Sequence, residues 1–156
     1  MSTLFVLVGV PASGKSTWVS DQQWAKDCAY LSTDQYVEKF ARRTGKTYSE
    51  VFDRVMPLAI KLMTKAAYRA RMRQQNVIWD QTSTTVNSRA RKLRMFSRYY
   101  KVAVVFLTPD LAELTRRLKS RPGKRIPDHI ITNMIRNLSI PTIEEGFDEI
   151  LMNEVC

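Results

Sequence analysis

Short, unbroken apolar runs alternate along this chain with longer stretches whose apolar positions recur at helical spacing. Leu4-Phe5-Val6-Leu7-Val8 has no polar interruption and suits a strand buried on both faces. Ala29-Tyr30-Leu31, then Asn76-Val77-Ile78-Trp79-Asp80, then Val102 to Leu107, the most β-branched run of the chain, predict further strands. Helical segments fill the gaps at Thr17 to Trp24, Gln35 to Arg42, about Asn87 to Tyr99, Leu111 to Lys119 after Pro109-Asp110, and Asp128 to Leu138. The longest starts at a capping box of Thr47 and Glu50, and its stripe Phe52, Met56, Ala59, Leu62, Met63 and Ala66 reads as core. Pro57 inside it predicts a kink or break near Asp53 to Met56. Arg42 to Lys46 reads as a basic turn, and Pro141 to Cys156 as a last helical turn with room for a short terminal strand. The alternation predicts the α/β class, a mostly parallel sheet of about four or five strands sandwiched by helices.

Between the first strand and the first helix stands Gly9-Val10-Pro11-Ala12-Ser13-Gly14-Lys15-Ser16-Thr17, which fits the phosphate-binding loop of P-loop NTPases. Glycines let the backbone wrap a phosphate chain, so that the amides from Gly9 through Ala12, Ser13, Gly14 and Thr17 and the following helix terminus point at the anion. Lys15 would reach the β- and γ-phosphates, and the Ser16 hydroxyl would complete the coordination of a magnesium ion bridging them. A strand before and a helix after argue against a chance glycine turn. ATP and Mg2+ are the expected cofactors.

At 156 residues and 44% apolar, the chain has the length and the core material of one domain, 1–156, with no room expected for a second catalytic domain. The formal net charge of +10 predicts a polyanionic partner beyond the nucleotide, with nucleic acid favoured over a merely soluble basic protein. Basic residues cluster in Lys61 to Arg73, Arg89 to Lys101 and Arg116 to Arg125, whereas Glu144 to Glu154 is acidic, which favours a basic face. Cys28 and Cys156 show neither metal-ligand spacing nor a disulfide framework, as expected in a reducing compartment. No apolar run is long enough to span a membrane and the apolar N-terminus is needed as a strand, so a cytoplasmic protein is expected. There is no internal repeat, low-complexity segment or linker.

A kinase must hold the donor phosphates, neutralise charge on the transferred group and orient the accepting hydroxyl. The loop serves the first need. Arginines on Arg117 to Arg125, a segment framed by proline and glycine that reads as a mobile lid over about 117–127, suit the second, although a solvated basic loop would have the same composition. For the third, Asp34 follows the second strand and should emerge near the phosphates, since ligands bind off the carboxyl ends of parallel strands. Position alone leaves catalysis and helix capping both open for Asp34. Asp80, at the end of the third strand, could hold a metal-bound water, orient substrate or cap its loop. His129 has no partner at a recognisable spacing and reads as a surface residue.

Gly9 to Trp18, then Thr33-Asp34-Gln35-Tyr36, then Val77 to Asp80 with Thr82 and Arg89, then Arg117 through Pro127, follow one another as in a known family. Over nearly its whole length the chain resembles the kinase domain of bacteriophage 5′-polynucleotide kinases. The resemblance implies transfer of the γ-phosphoryl group of ATP to a hydroxyl on DNA or RNA, in a host cytoplasm. It implies Lys15 and Ser16 as loop residues, Asp34 as general base, Arg121 with Arg117 and Arg125 as lid arginines on the donor phosphates, and Tyr36, Asp80 and Thr82 at the acceptor site. Where that family has an acceptor-binding arginine after the Asp-x-Tyr tyrosine, this chain has Val37, so Lys39 or Arg42 would take over or the acceptor would be presented differently. No Asp-x-Asp phosphatase signature follows, so end healing by both activities in this polypeptide is not expected. Related phage kinases act on a hydroxymethylated pyrimidine within DNA, which would have to be flipped out to reach Asp34, and Val37 lends that reading mild support. A small-metabolite kinase and a non-catalytic nucleotide-binding module are the remaining alternatives.

Overall fold

The computed structural model describes residues 1–153, so Cys156 and the end of the acidic tail lie outside the described residues. The strands are β1 (Thr3–Val8), β2 (Ala29–Leu31), β3 (Val77–Asp80), β4 (Tyr100–Phe106) and β5 (Glu149–Asn153). They form one sheet in the order β2-β3-β1-β4-β5, and every neighbouring pair is parallel. β1 is central, with Leu7 opposite Asp80 on one side and Val104 on the other. Its uninterrupted apolar run is what a strand covered on both faces requires.

The helices are α1 (Lys15–Asp21), α2 (Thr33–Thr44), α3 (Tyr48–Met72), α4 (Val86–Met95), α5 (Leu111–Lys119) and α6 (Asp128–Asn137). Leu4, Val6 and Val8 of β1 meet Met63, Ala67 and Ala70 of α3 and Leu93 of α4 on one face of the sheet. Leu7, with Phe5 beside it, faces the other way, toward Trp18 and Val19 of α1. This is the α/β sandwich, with a wholly parallel sheet, that the alternation of elements predicts. Loops leaving β1, β2 and β3 gather at the carboxyl edge of the sheet, where ligands bind in open α/β sheets.

Three expectations are corrected. The first helix ends at Asp21, and Trp24 belongs to a 3-10 turn over Gln23–Asp27, its ring 4.8 Å from that of Phe5. α3 runs unbroken through Pro57, which lies on its solvent-facing side together with Asp53, so the carbonyl that loses its partner is open to water. The buried line of α3 is Val51, Val55, Ala59, Met63, Ala67 and Ala70, at steps of three and four, while Phe52 and Leu62 are exposed. The buried line is shifted from the expected stripe because α3 packs on α2 as well as on the sheet, and Val37, Ala41, Val51, Val55 and Ala59 close that second contact. The Thr47–Glu50 capping box forms as expected, and Gly45 closes α2 at φ 67. Among the described residues no helix is long and apolar enough to cross a membrane.

Candidate functional site

β1 delivers its chain directly into the phosphate-binding loop. Gly9 is required there by space, because a Cβ would lie 2.6 Å from Ser13 Oγ and 3.0 Å from Phe106 Cβ. Its N–H donates to Thr82 O at 2.9 Å, tying the loop to the segment after β3. Ala12 at φ 65 and Gly14 at φ 102 turn the backbone back on itself. Gly14 is the N-cap of α1, with no side-chain cap and no acid in the first turn, so the first amides of the helix are left to an anion. Lys15 Nζ bridges the loop, donating to Gly9 O at 2.8 Å and Val10 O at 2.9 Å. Burial pulls its pKa down to about 8, opposed by the nearby Asp80 and Asp34 carboxylates and reinforced by Arg121 and Lys124. Ser13 Oγ is buried without a hydrogen-bond partner, a cost of the kind stored in functional loops.

The loop opens into a cleft of about 1730 Å³ that also takes in Ser16, Thr17, Asp34, Asp80 and Thr82. Asp34 sits in the first turn of α2 with Ser32 as N-cap, and its oxygens serve tertiary contacts instead of capping. Oδ1 accepts from the Tyr48 hydroxyl at 2.6 Å and Oδ2 from Lys124 Nζ at 2.9 Å. Burial pushes the Asp34 carboxyl up, but the Lys124 charge and these two hydrogen bonds outweigh it, so the group is held below the usual carboxylate range. Asp80 differs: burial raises its carboxyl, and the hydrogen bond that the Tyr30 hydroxyl donates to Oδ2 only partly offsets that. Two carboxylates thus face one cleft with their protonation pushed apart.

Arg42, Arg117, Arg121 and Arg125 line the same cleft. Arg117 is committed to structure, donating from Nε to Glu113 at 2.7 Å and from a terminal nitrogen to Ala12 O at 3.1 Å, which ties α5 to the loop. Tyr36 packs into the core between α2 and its neighbours, Lys39 points away from the cleft into solvent, and neither lines it. Val37 is fully buried in the α2–α3 contact, so a cation at that position would sit in core. His129 is exposed, as expected. Sequence reasoning missed Tyr30, Tyr48, Glu113 and Lys124, whose roles arise from contacts between elements. The one signal for Lys124 was its place in the cationic loop.

Arg89 and Lys92 on α4 turn inward and are buried. Arg89 donates to both oxygens of Glu145, at 2.8 and 3.1 Å, and to Ser83 O at 2.9 Å, while Lys92 donates to Ser83 Oγ at 2.7 Å. They brace the 81–85 segment, where Ser83 has φ 47, and so contribute nothing to a basic face.

A family model described as an AAA domain matches residues 4–141. Among curated proteins, the mouse heterogeneous nuclear ribonucleoprotein U-like protein 2 is 26% identical across 97% of this chain and 22% of its own length. The chain therefore spans about a fifth of the length of the curated relatives it matches. Among solved structures, a candidate kinase of Chloroflexus aurantiacus superposes with a TM-score of 0.72 at 20% identity, covering 97% of this chain and 86% of that one. A chain of the Pnkp1/Rnl/Hen1 RNA repair complex gives 0.66 at 23% identity, covering 88% and 44%. A gluconokinase of Sinorhizobium meliloti gives 0.58 at 17% identity, covering 96% and 81%. At these identities the structural likenesses establish the fold, which a gluconokinase and a chain of an RNA repair complex both share.

Proposed function

This chain belongs to the AAA domain family, and from that premise we propose that it is an ATP-dependent kinase whose acceptor is a hydroxyl on nucleic acid, foremost the 5′-hydroxyl end of DNA or RNA. The observation that carries the reading is the cleft itself. It joins the phosphate loop to Asp34 and continues past Asp34 along Arg42, Lys46, Tyr48, Phe52 and Arg125, with a volume of about 1730 Å³. Small-molecule pockets run to roughly 300–1,000 Å³. A nucleotide leaves much of this cleft free, and the free arm offers cations for phosphodiesters and the exposed Phe52 ring for a base.

The division of labour follows from the geometry. Loop amides and Lys15 hold the donor phosphates. Arg121, on the cleft wall, offsets the charge that spreads over the transferred group. Asp34, ionised at neutral pH, accepts the hydrogen of the attacking hydroxyl and aims its oxygen. A magnesium ion would come with the phosphates, held by the Ser16 hydroxyl, and Asp80, which lines the same cleft, would accept from one of its waters. Bound there, it would supply charge neutralisation between the β- and γ-phosphates. The likeness in fold to the RNA repair chain supports a polynucleotide acceptor, and with Val37 buried in the α2–α3 contact, acceptor binding falls to cations that line the cleft, Arg42 among them.

The test is transfer of labelled γ-phosphate to three acceptors offered in parallel: an oligonucleotide with a free 5′-hydroxyl, a 5′-phosphorylated duplex containing hydroxymethyluracil, and gluconate. Label on the first alone is expected. Label on the second alone would make this a base-modifying kinase, and label on gluconate alone would replace the nucleic-acid reading altogether.

A further inference from the structure

The lid is seated on the far wall of the cleft, at the corner between α2 and α3. Ser49 N–H donates to Gly123 O at 3.0 Å, and Arg125 N–H donates to Ser49 Oγ at 2.8 Å. Gly123, at φ +71, lies so close to α3 that a Cβ would stand 2.8 Å from Thr47 Cβ. Between those backbone clamps Lys124 turns inward, its side chain only 15% exposed. Its Nζ donates to Asp34 Oδ2 at 2.9 Å, lies 3.5 Å from Glu38 Oε1, and sits 4.4 Å from the centroid of the Tyr48 ring.

We propose that Lys124 is a positioning residue: docking of the lid tip on the α2–α3 corner delivers its ammonium to Asp34, so that the proton acceptor is complete only when the lid is docked. The inference rests on the reading of Asp34 as that acceptor and adds what couples it to the lid. The side chains held by Asp34 come from different elements, Tyr48 from α3 and Lys124 from the lid, so neither can orient it alone. Each carboxylate oxygen keeps a second acceptor site for an incoming hydroxyl. Without the lid, Asp34 would keep the Tyr48 hydroxyl and would face the Asp80 carboxyl with Lys15 as its remaining nearby cation. A carboxyl so placed is more basic but less directed, and it stays ionised over a narrower pH range. Coupling it to the lid ties phosphoryl transfer to closure, which limits loss of the γ-phosphoryl group to water while the cleft is open.

The experiment follows the Asp34 carboxyl by carbon-13 NMR titration in the full chain, beside the pH dependence of kcat, for Lys124→Met, Gly123→Ala and Lys124→Arg. In Lys124→Met the Asp34 titration and the acid limb of kcat should both move to higher pH, by about one unit. The plateau kcat should fall about tenfold with the KM for ATP unchanged. Gly123→Ala, which spoils the docking without touching Asp34, should reproduce the shift, and Lys124→Arg should restore the wild-type profile. An Asp34 titration unmoved by Lys124→Met overturns the proposal, as does a normal profile in Gly123→Ala. The NMR arm is independent of acceptor. A moved titration in a chain that phosphorylates no nucleic acid therefore supports the lid coupling while counting against the nucleic-acid reading.

Discussion

Lys15 and Asp34 show how far a single side chain can be read, and what its surroundings add. A lysine at the sixth place after Gly9 announces phosphate binding, since the loop's spacing is local. Its depressed pKa, about 8, is a tertiary effect of burial. Phosphates bound against it stabilise the ammonium, so its pKa in the complex lies above that in the free protein. Nucleotide affinity should then be flat below about pH 8 and decline by up to about tenfold per unit above it. Isothermal titration in buffers of different ionisation enthalpy should show proton uptake on binding at pH 8.5 and little at pH 6.5. For Asp34→Asn, turnover should drop by about 10²–10⁴ with ATP affinity intact, whereas Lys15→Ala should lose both. Full activity in Asp34→Asn would remove the base assignment.

Elements carry the next set of consequences, because several are placed by buried polar pairs that no periodicity reveals. Arg89 and Glu145 meet across 56 residues with the arginine fully enclosed. Removing the cation by Arg89→Met strands a largely buried carboxylate, and breaking such pairs costs about 3–5 kcal/mol. The urea midpoint should fall accordingly, and nucleotide binding should weaken with it, because the braced segment holds Gly9 through Thr82 O. Pro57 offers the opposite sign. It occupies an exposed helix interior, where proline costs up to about 3 kcal/mol relative to alanine. Pro57→Ala should therefore raise stability, by about 1–2 kcal/mol once the freer unfolded chain is allowed for, read as a higher urea midpoint. A lower midpoint would mean that the α3 backbone depends on the proline for its path.

The whole molecule is strongly basic, at +10, yet its charge is not spread as the sequence clusters suggest. Arg89 and Lys92 are internal, Arg116 and Arg117 share Glu113, which cancels one of their two charges and whose carboxyl they hold down to about 2, and Lys124 is held by Asp34 and Glu38. Cations free for a polyanion include Arg42, Lys46 and Arg125 on the cleft and those on the outer face of α3. Oligonucleotide binding should weaken with salt at a log–log slope of about −0.7 for each phosphate contacted on a single strand. A slope near zero, measured by fluorescence anisotropy from 50 to 300 mM salt, would point to a small acceptor.

Legibility in the sequence followed the range of the interaction. The sheet, the phosphate loop, the capping box at Thr47 and the strand-end carboxylates Asp34 and Asp80 rest on spacings of a few residues, and the chain by itself determined them. Helix phase in α3 did not yield, because α3 answers to both the sheet and α2. Nor did the failure of Pro57 to break the helix, which depends on its facing water, or the burial of Val37, which depends on which helix packs against α2. The partners of Asp34 come from residues 48 and 124, and the brace under the 81–85 segment from residues 89, 92 and 145. Only the folded chain could decide these, since hydrogen bonds and charge neutralisation act over a few ångströms in space whatever the separation in sequence.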